Sequence, residues 1–575
     1  MKPYLFCVLL AALSAGVRGE ETAAAPAAAA PAPDAAATDS PITDRLPSVE
    51  LTPALFYQFL LAEIAGGRGE VTLASDTYLK LATTTRDPRV AKRAAEVALY
   101  SRRPDVALAA AKLWSELEPD SIQAQQMVTS LLAAVGKPED LAEHVSRQLA
   151  AAKGNVGPIL LQLNRMLARH EDKEVVRRLV FEVTDPYLDI AEAHFARAQA
   201  AAGVNDKAAA TAEIDRALAL RPNWEHAALI RVQLLNDTAA AVTFLGRFVA
   251  ANPAAREARM AYARALVSER SYGLAREQFD KLLAAAPNDV DVVYAVAVLS
   301  AQLKDLDRAE KNFKALLTLG YSDSNNVRIY LGQIAEERHQ WDDALAWYGR
   351  VTAGEQYLAA RGRAAHVLMQ QKKLDEARKF LEESTASTVE ERDQLLILEA
   401  QMLRDAGRAD DAYAVLEGGL AQRPDEPDLL YEAALTAEKT GKTDVLERHL
   451  RRLIEIKPDH AHAYNALGYS LADRNERLDE AQSLIDKALQ LAPEDPFILD
   501  SKGWLQFRRG DGTAALDTLN KAFALRADPE IAAHIGEVLW SLGRRDDARK
   551  TWAEAMKASP DNEMLVGTVK RVSGP

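Results

Sequence analysis

Cysteine is all but missing from this chain of 575 residues: the single one, Cys7, lies close to the first residue. No disulfide can form within one chain, so stability has to come from packing. Positive charge is also scarce, with 70 Lys and Arg against 84 Asp and Glu and a net charge of −14. Such a surface repels phosphate backbones and excludes nucleic acid as an expected partner. The basic clusters Arg508-Arg509, Arg544-Arg545 and Arg448 to Arg452 are interleaved with acids and read as solvated helix faces. After the first nineteen residues no apolar run approaches the length of a bilayer span. Catalytic signatures are missing too. His170-Glu171 begins like a zinc-protease motif, but the second ligand position holds Glu174. His460-Ala-His462 lacks a nearby cysteine or carboxylate set with ligand spacing and reads as exposed polar residues. No Gly-rich loop ends in Lys-Ser/Thr, and no Gly-x-Ser-x-Gly elbow is present. No catalytic residue, cofactor site or metal site is expected, and the chain reads as a non-enzyme.

What is present begins with an export signal over residues 1–19. Lys2 supplies positive charge, Leu5 to Ala15 form an apolar core, and Val17-Arg18-Gly19 precedes the expected cut. Cleavage there removes Lys2 and Arg18 and no acid, which moves the net charge to −16, and it also removes Cys7. Residues 20–48 form an Ala/Pro-rich stretch in which dense proline interrupts helices and few bulky groups await burial; a disordered linker is expected.

Beyond the linker the chain repeats. Ala275, Ala309, Ala344, Ala377, Ala412, Leu446, Ala481, Ala515 and Ala548 follow one another at 33 to 35 residues. A period of that size marks a stack of helical hairpins, with each small residue near the start of a second helix where it touches the first. Gly536, Leu539, Ala548, Trp552, Ala555 and Pro560 complete one unit, and Gly503, Ala515, Leu519 and Ala522 mark the one before it. These strings resemble the tetratricopeptide repeat (TPR) consensus. The resemblance implies an all-α, right-handed superhelical solenoid of about 11–13 helix pairs. Divergent N-terminal repeats are expected over 49–205 and a regular array over 206–570. Residues 121–185 show amphipathic helical spacing without a repeat register. Gly407 and Gly543 stand where first helices should end, since glycine takes the left-handed conformation cheaply.

A solenoid of this type places function on a surface. The first helices should line an inner wall, and Tyr431, Tyr469, Trp504, Phe507 and Trp540 are expected to form an aromatic strip along it. Flat amphipathic side chains take up a polypeptide at little entropic cost, and Arg508 is expected to hold a carboxylate at the edge. Lys and Asn at the positions of a two-carboxylate clamp are lacking: Asn465 and Tyr469, Asp500 and Trp504, then Ala533 and Glu537 stand there.

Two longer stretches narrow the resemblance: Leu61 to Gly69 with Tyr78 and Thr85 to Ala98 at one end, and Asn465 to Arg474 with Asp500 to Gly510 at the other. They are similar to a family of proteobacterial envelope TPR proteins, commonly outer-membrane lipoproteins facing the periplasm. The best understood kind is an adaptor that binds a carboxyl-terminal processing protease and helps it degrade peptidoglycan hydrolases. The resemblance implies a periplasmic scaffold with a protease and cell-wall hydrolase clients as partners. This chain departs at the anchor, since no convincing lipobox precedes a cysteine; the resemblance implies the periplasm, with association to the outer membrane left open. Two alternatives are an assembly scaffold for secretion, pili or polysaccharide export, and a TPR-containing hydrolase with its site in 121–185.

Overall fold

The computed structural model describes residue 47 and residues 49–574, apart from 136–137, 153, 169 and 236. The expected signal, Cys7 and, residue 47 aside, nearly all of the linker lie outside the described residues. Thirty-one α-helices run from α1 (Pro53–Gly67) to α31 (Glu563–Ser573), with one short 3-10 turn at Asp185–Tyr187 and no strand among the described residues. They form fifteen consecutive hairpins and a closing helix. That exceeds the expected eleven to thirteen, and two of the additional pairs fall in the region without register: α5 (Ile122–Val135) with α6 (Pro138–Ala151), and α7 (Gly157–Leu167) with α8 (Lys173–Thr184). Among the described residues no helix is long and apolar enough to cross a membrane. The chain divides after Asn312 into two compact units, here called unit 1 and unit 2.

The repeat has a direct packing cause. All nine phased positions, from Ala275 to Ala548, are completely buried. Opposite them the first helix carries glycine where space is tightest. A Cβ on Gly468 would come within 2.7 Å of Ile485, one on Gly503 within 2.6 Å of Leu519, and one on Gly536 within 2.0 Å of Trp552. The turns repeat as well. Gly407, Gly441, Gly510 and Gly543 have φ between 72° and 92°, and Arg270, Lys304, His339, Lys372 and Asn475 take the same left-handed region at 57° to 61°. Helix starts are fixed by side-chain caps and by proline at the first position. Asp495 accepts from Phe497 and Ile498 at the start of α27 (Pro496–Arg508), and Asp528 accepts from Glu530 at the start of α29 (Pro529–Ser541).

Candidate interaction surface

In the last repeats of unit 2 the first helices are α23 (Pro427–Lys439), α25 (Ala461–Asp473), α27, α29 and α31. Their second-helix partners include α26 (Leu478–Leu491), α28 (Gly512–Leu525) and α30 (Arg545–Ala558). Each first helix has two working faces, told apart in α25, α27 and α29 by the packing glycine and in α23 by Ala434 at the matching position. The row holding the glycine and the residue four later meets the second helix. The residues one after and three before the glycine form another row, because side chains four apart share a face. This second row runs through Tyr431, Asn465, Tyr469, Asp500, Trp504 and Glu537 and builds a wall from first helix to first helix.

Polar contacts knit that wall together. His534 Nδ1 lies 2.9 and 3.0 Å from the two carboxylate oxygens of Asp500, and Tyr469 Oη lies 3.4 Å from His534 Nε2. The His534 imidazole stacks on Trp504 with centroids 4.3 Å apart and an interplanar angle of 23°. Trp504 Nε1 donates to Asp473 at 3.1 Å. Arg571 on α31 grips Glu537 with two donors at 2.8 and 2.7 Å.

Charge on this wall is predominantly negative, and the titration of its groups reflects that. Burial alone would lower His534, but attraction and hydrogen bonding from Asp500, with Glu537 and Asp473 behind, outweigh it and the imidazole is raised. Tyr469 is pushed far up, first by burial and then by Asp473, Asp500, Glu438 and Glu530. Tyr431 is raised by burial and by Glu432. Glu438 and Glu530 remain open to solvent. Yet protein surrounds them on enough sides to raise both carboxyls, with repulsion from Asp473 on Glu438 and from Asp528 and Asp500 on Glu530 adding to it. They are recessed, accessible acids.

The expected strip is thus only partly realised. Tyr431 and Tyr469 lie half-buried on the wall, and Tyr431 packs beside His460 with centroids 5.3 Å apart. Trp504 lies on the wall but is only 3% exposed, sealed by His534, Phe507 and Arg508, so it is a core residue. Phe507 and Trp540 belong to the other row, each four residues after a packing glycine. Trp540 accordingly stacks toward Trp552 of α30 at 5.8 Å between Arg545 and Arg549. Phe507 is half-buried among the apolar side chains at the hairpin interface. Arg508 holds no free carboxylate position. Its guanidinium donates to the carbonyls of Ala472 and Asp473 at 3.1 and 2.6 Å and so closes the C-terminus of α25, where the helix dipole favours a cation.

Sequence reasoning missed the Asp500–His534 pair, although each is a polar residue set among apolar ones in a first helix, Asp500 after Ile498-Leu499 and His534 before Ile535. His460 serves the helix itself, since its Nδ1 accepts from the Ala463 amide at 3.0 Å and caps α25. Among the described residues no group of three His, Cys, Asp or Glu side chains is placed to hold a metal ion.

These hairpins, with small residues phased at about 34 positions and a wall of first helices, define a helical-repeat scaffold. Residues 235–290, 443–496 and 501–563 match the tetratricopeptide repeat. A TPR repeat-containing protein of Pseudomonas aeruginosa, PA4667, is 30% identical over 528 residues, covering 90% of this chain and 88% of that one. The chain belongs to the tetratricopeptide-repeat family. The cellulose synthase operon protein C of Pseudomonas fluorescens is 28% identical over 321 residues, 46% of this chain and 25% of that protein. Among solved structures, a thermophilic TPR protein of Thermus thermophilus is 25% identical over 32% of this chain and 98% of its own, with a TM-score of 0.30.

Proposed function

We propose that this protein is a non-catalytic periplasmic scaffold that holds other polypeptides on the first-helix wall of unit 2. It would act as an adaptor that brings cell-wall hydrolases to a carboxyl-terminal processing protease. The observation that carries the binding role is the exposed part of the wall itself. Tyr431 and Tyr469 offer flat apolar area with a polar tip, while Glu438 and Glu530 are recessed acids that still reach solvent. A partner that contributes cationic side chains offsets the repulsion that Asp473 exerts on Glu438 and that Asp528 and Asp500 exert on Glu530 as it docks, which gives affinity and register together. Holding protease and client on one chain raises their effective concentration without any chemistry by the scaffold. The adaptor role rests on the similarity of the two terminal stretches to the envelope family.

The test is photocrosslinking in living cells from positions 431 and 469, followed by mass spectrometry of the adducts. The adaptor reading expects a processing protease or a peptidoglycan hydrolase among them. Adducts made only of secretion, pilus or polysaccharide-export components would replace it with the assembly-scaffold reading, which the likeness to cellulose synthase operon protein C favours. Absence of any adduct from either position would remove the wall as the binding surface.

A further inference from the structure

Unit 1 contains a recess of about 1130 Å³ that the wall of unit 2 does not involve. It lies among α5, α6 and α7, in the hairpins whose sequence carries no repeat register. Its lining has one acid, Asp120, and two arginines, Arg147 and Arg165. Among the described residues neither guanidinium is ion-paired, whereas the chain as a whole carries a net charge of −14. The two arginines come from facing elements, α6 and α7, and both are exposed.

The floor is polar and fixed. Thr129 is 8% exposed and donates its hydroxyl to the Gln125 carbonyl at 2.8 Å. It accepts from Gln148 Nε2 at 3.3 Å, and His144 Nε2 lies 3.1 Å away. Because the hydroxyl proton is already committed to Gln125, His144 donates through Nε2 and keeps Nδ1 as an acceptor. Above this floor Gln126 on α5 and Gln162 on α7 are exposed, and their amides have no hydrogen-bond partner among the described residues.

Primary amides on two facing helices supply a donor and an acceptor each, the complement of a peptide group. Guanidinium groups supply the fork that receives a carboxylate. Ile159 and the adaptable Met166 add apolar lining. No Phe, Tyr or Trp lines the recess, so the flat platform on which a sugar ring would stack is not there. From this juxtaposition we infer that the recess is a second binding site, for an extended polypeptide segment that carries an acidic side chain. Arg147 and Arg165 take the carboxylate, Gln126 and Gln162 pair with the peptide backbone, and Ile159 and Met166 receive a neighbouring apolar side chain. Its preference is thus opposite in charge to that of the acid-lined wall of unit 2.

Fluorescence anisotropy of the full chain with a fluorescein-labelled peptide of three Gly-Leu-Asp triplets tests the site. The peptide should bind, and Arg147→Gln with Arg165→Gln should weaken it by roughly tenfold, the size expected for loss of charge-assisted hydrogen bonds. A peptide of Gly-Leu-Asn triplets should bind as weakly to the unaltered chain. Arg544→Gln with Arg545→Gln, in unit 2, should leave the Asp peptide's affinity unchanged. All four arginines are exposed, and circular dichroism checks that helicity is retained. Should the double arginine variant fail to fold, Gln126→Ala with Gln162→Ala takes its place and should also weaken binding severalfold. The inference is overturned by equal binding to a folded double variant, by equal binding of the Asn peptide, or by no anisotropy change up to about 1 mM protein. Displacement of the peptide by chitotetraose would likewise overturn it in favour of a glycan site.

Discussion

Among the glycines of unit 2, Gly536 leaves the least room for a side chain, and it makes a quantitative prediction. An added Cβ would stand 2.0 Å from Nε1 of Trp552 and 2.3 Å from its Cε2. Trp552 cannot swing aside: it is 1% exposed, and its Nε1 donates to the Ala533 carbonyl at 3.3 Å. Gly536→Ala therefore sets two effects against each other. Alanine in a helix gains about 1 kcal/mol over glycine from backbone entropy, whereas forcing a methyl group into a filled site costs about 1 to 3 kcal/mol. Gly418, in the middle of α22 (Ala409–Gln422), supplies the control, because a Cβ there would meet nothing within 4 Å. Gly418→Ala should stabilise its hairpin by up to about 1 kcal/mol, so the difference between the two variants isolates the overpacking, about 1 to 3 kcal/mol. Repeat arrays open hairpin by hairpin, so hydrogen exchange of the α29 and α22 amides is the appropriate assay. Combining Gly536→Ala with Trp552→Leu should recover part of the loss, as a coupled pair must. If Gly536→Ala protects its hairpin as much as Gly418→Ala protects its own, the close approach of α29 and α30 is refuted.

Other consequences can be measured alongside. Trp504→Ala should destabilise the last repeats by about 3 to 5 kcal/mol as a core truncation, whereas Tyr431→Ala with Tyr469→Ala should lower partner capture with helicity nearly intact. Equal loss of circular dichroism and capture in the tyrosine variant would show that the wall is structural only. Because His534 is raised above its unfolded value of about 6.5, the stability it draws from Asp500 is fully present below that pH and lost as pH rises through the higher folded value. Asp500→Asn should accordingly lower the melting temperature more at pH 6 than at pH 9, and a pH-independent difference would contradict the ion pair. Lys372 holds a left-handed conformation at φ 61°. Lys372→Gly should relieve that strain, offset by the flexibility glycine gives the unfolded chain, for a net gain of about 0.5 kcal/mol; a lower melting temperature would show that the lysine side chain has a role of its own in the turn.

The regular array was legible because its packing rule is written in residue size. Nine small or apolar residues in phase turned out to be nine fully buried contacts, and Gly407 and Gly543 mark left-handed turns as expected. Helices α7 and α8 escaped the same reading for a physical reason. Their hairpin is filled by Leu160, Leu163, Leu167, Val176, Leu179 and Val180, all bulky, so no alternation of small and large residues exists to set a phase. The candidate site was less legible. The face a side chain takes is fixed by its distance from the packing glycine, whatever its type. Counted that way, Phe507 and Trp540 fall four residues after Gly503 and Gly536 and must meet the second helix. Tyr469 falls one residue after Gly468 and meets the neighbouring first helix. Trp504 obeys this rule and is still buried, because what covers it is the His534 ring from the next repeat. Burial between repeats depends on which side chains two successive units bring together, and a count within one unit does not contain that information. The same limit hid the Asp500–His534 pair, in which each residue taken alone is an ordinary polar group and only stacking makes them an ion pair shielded from water.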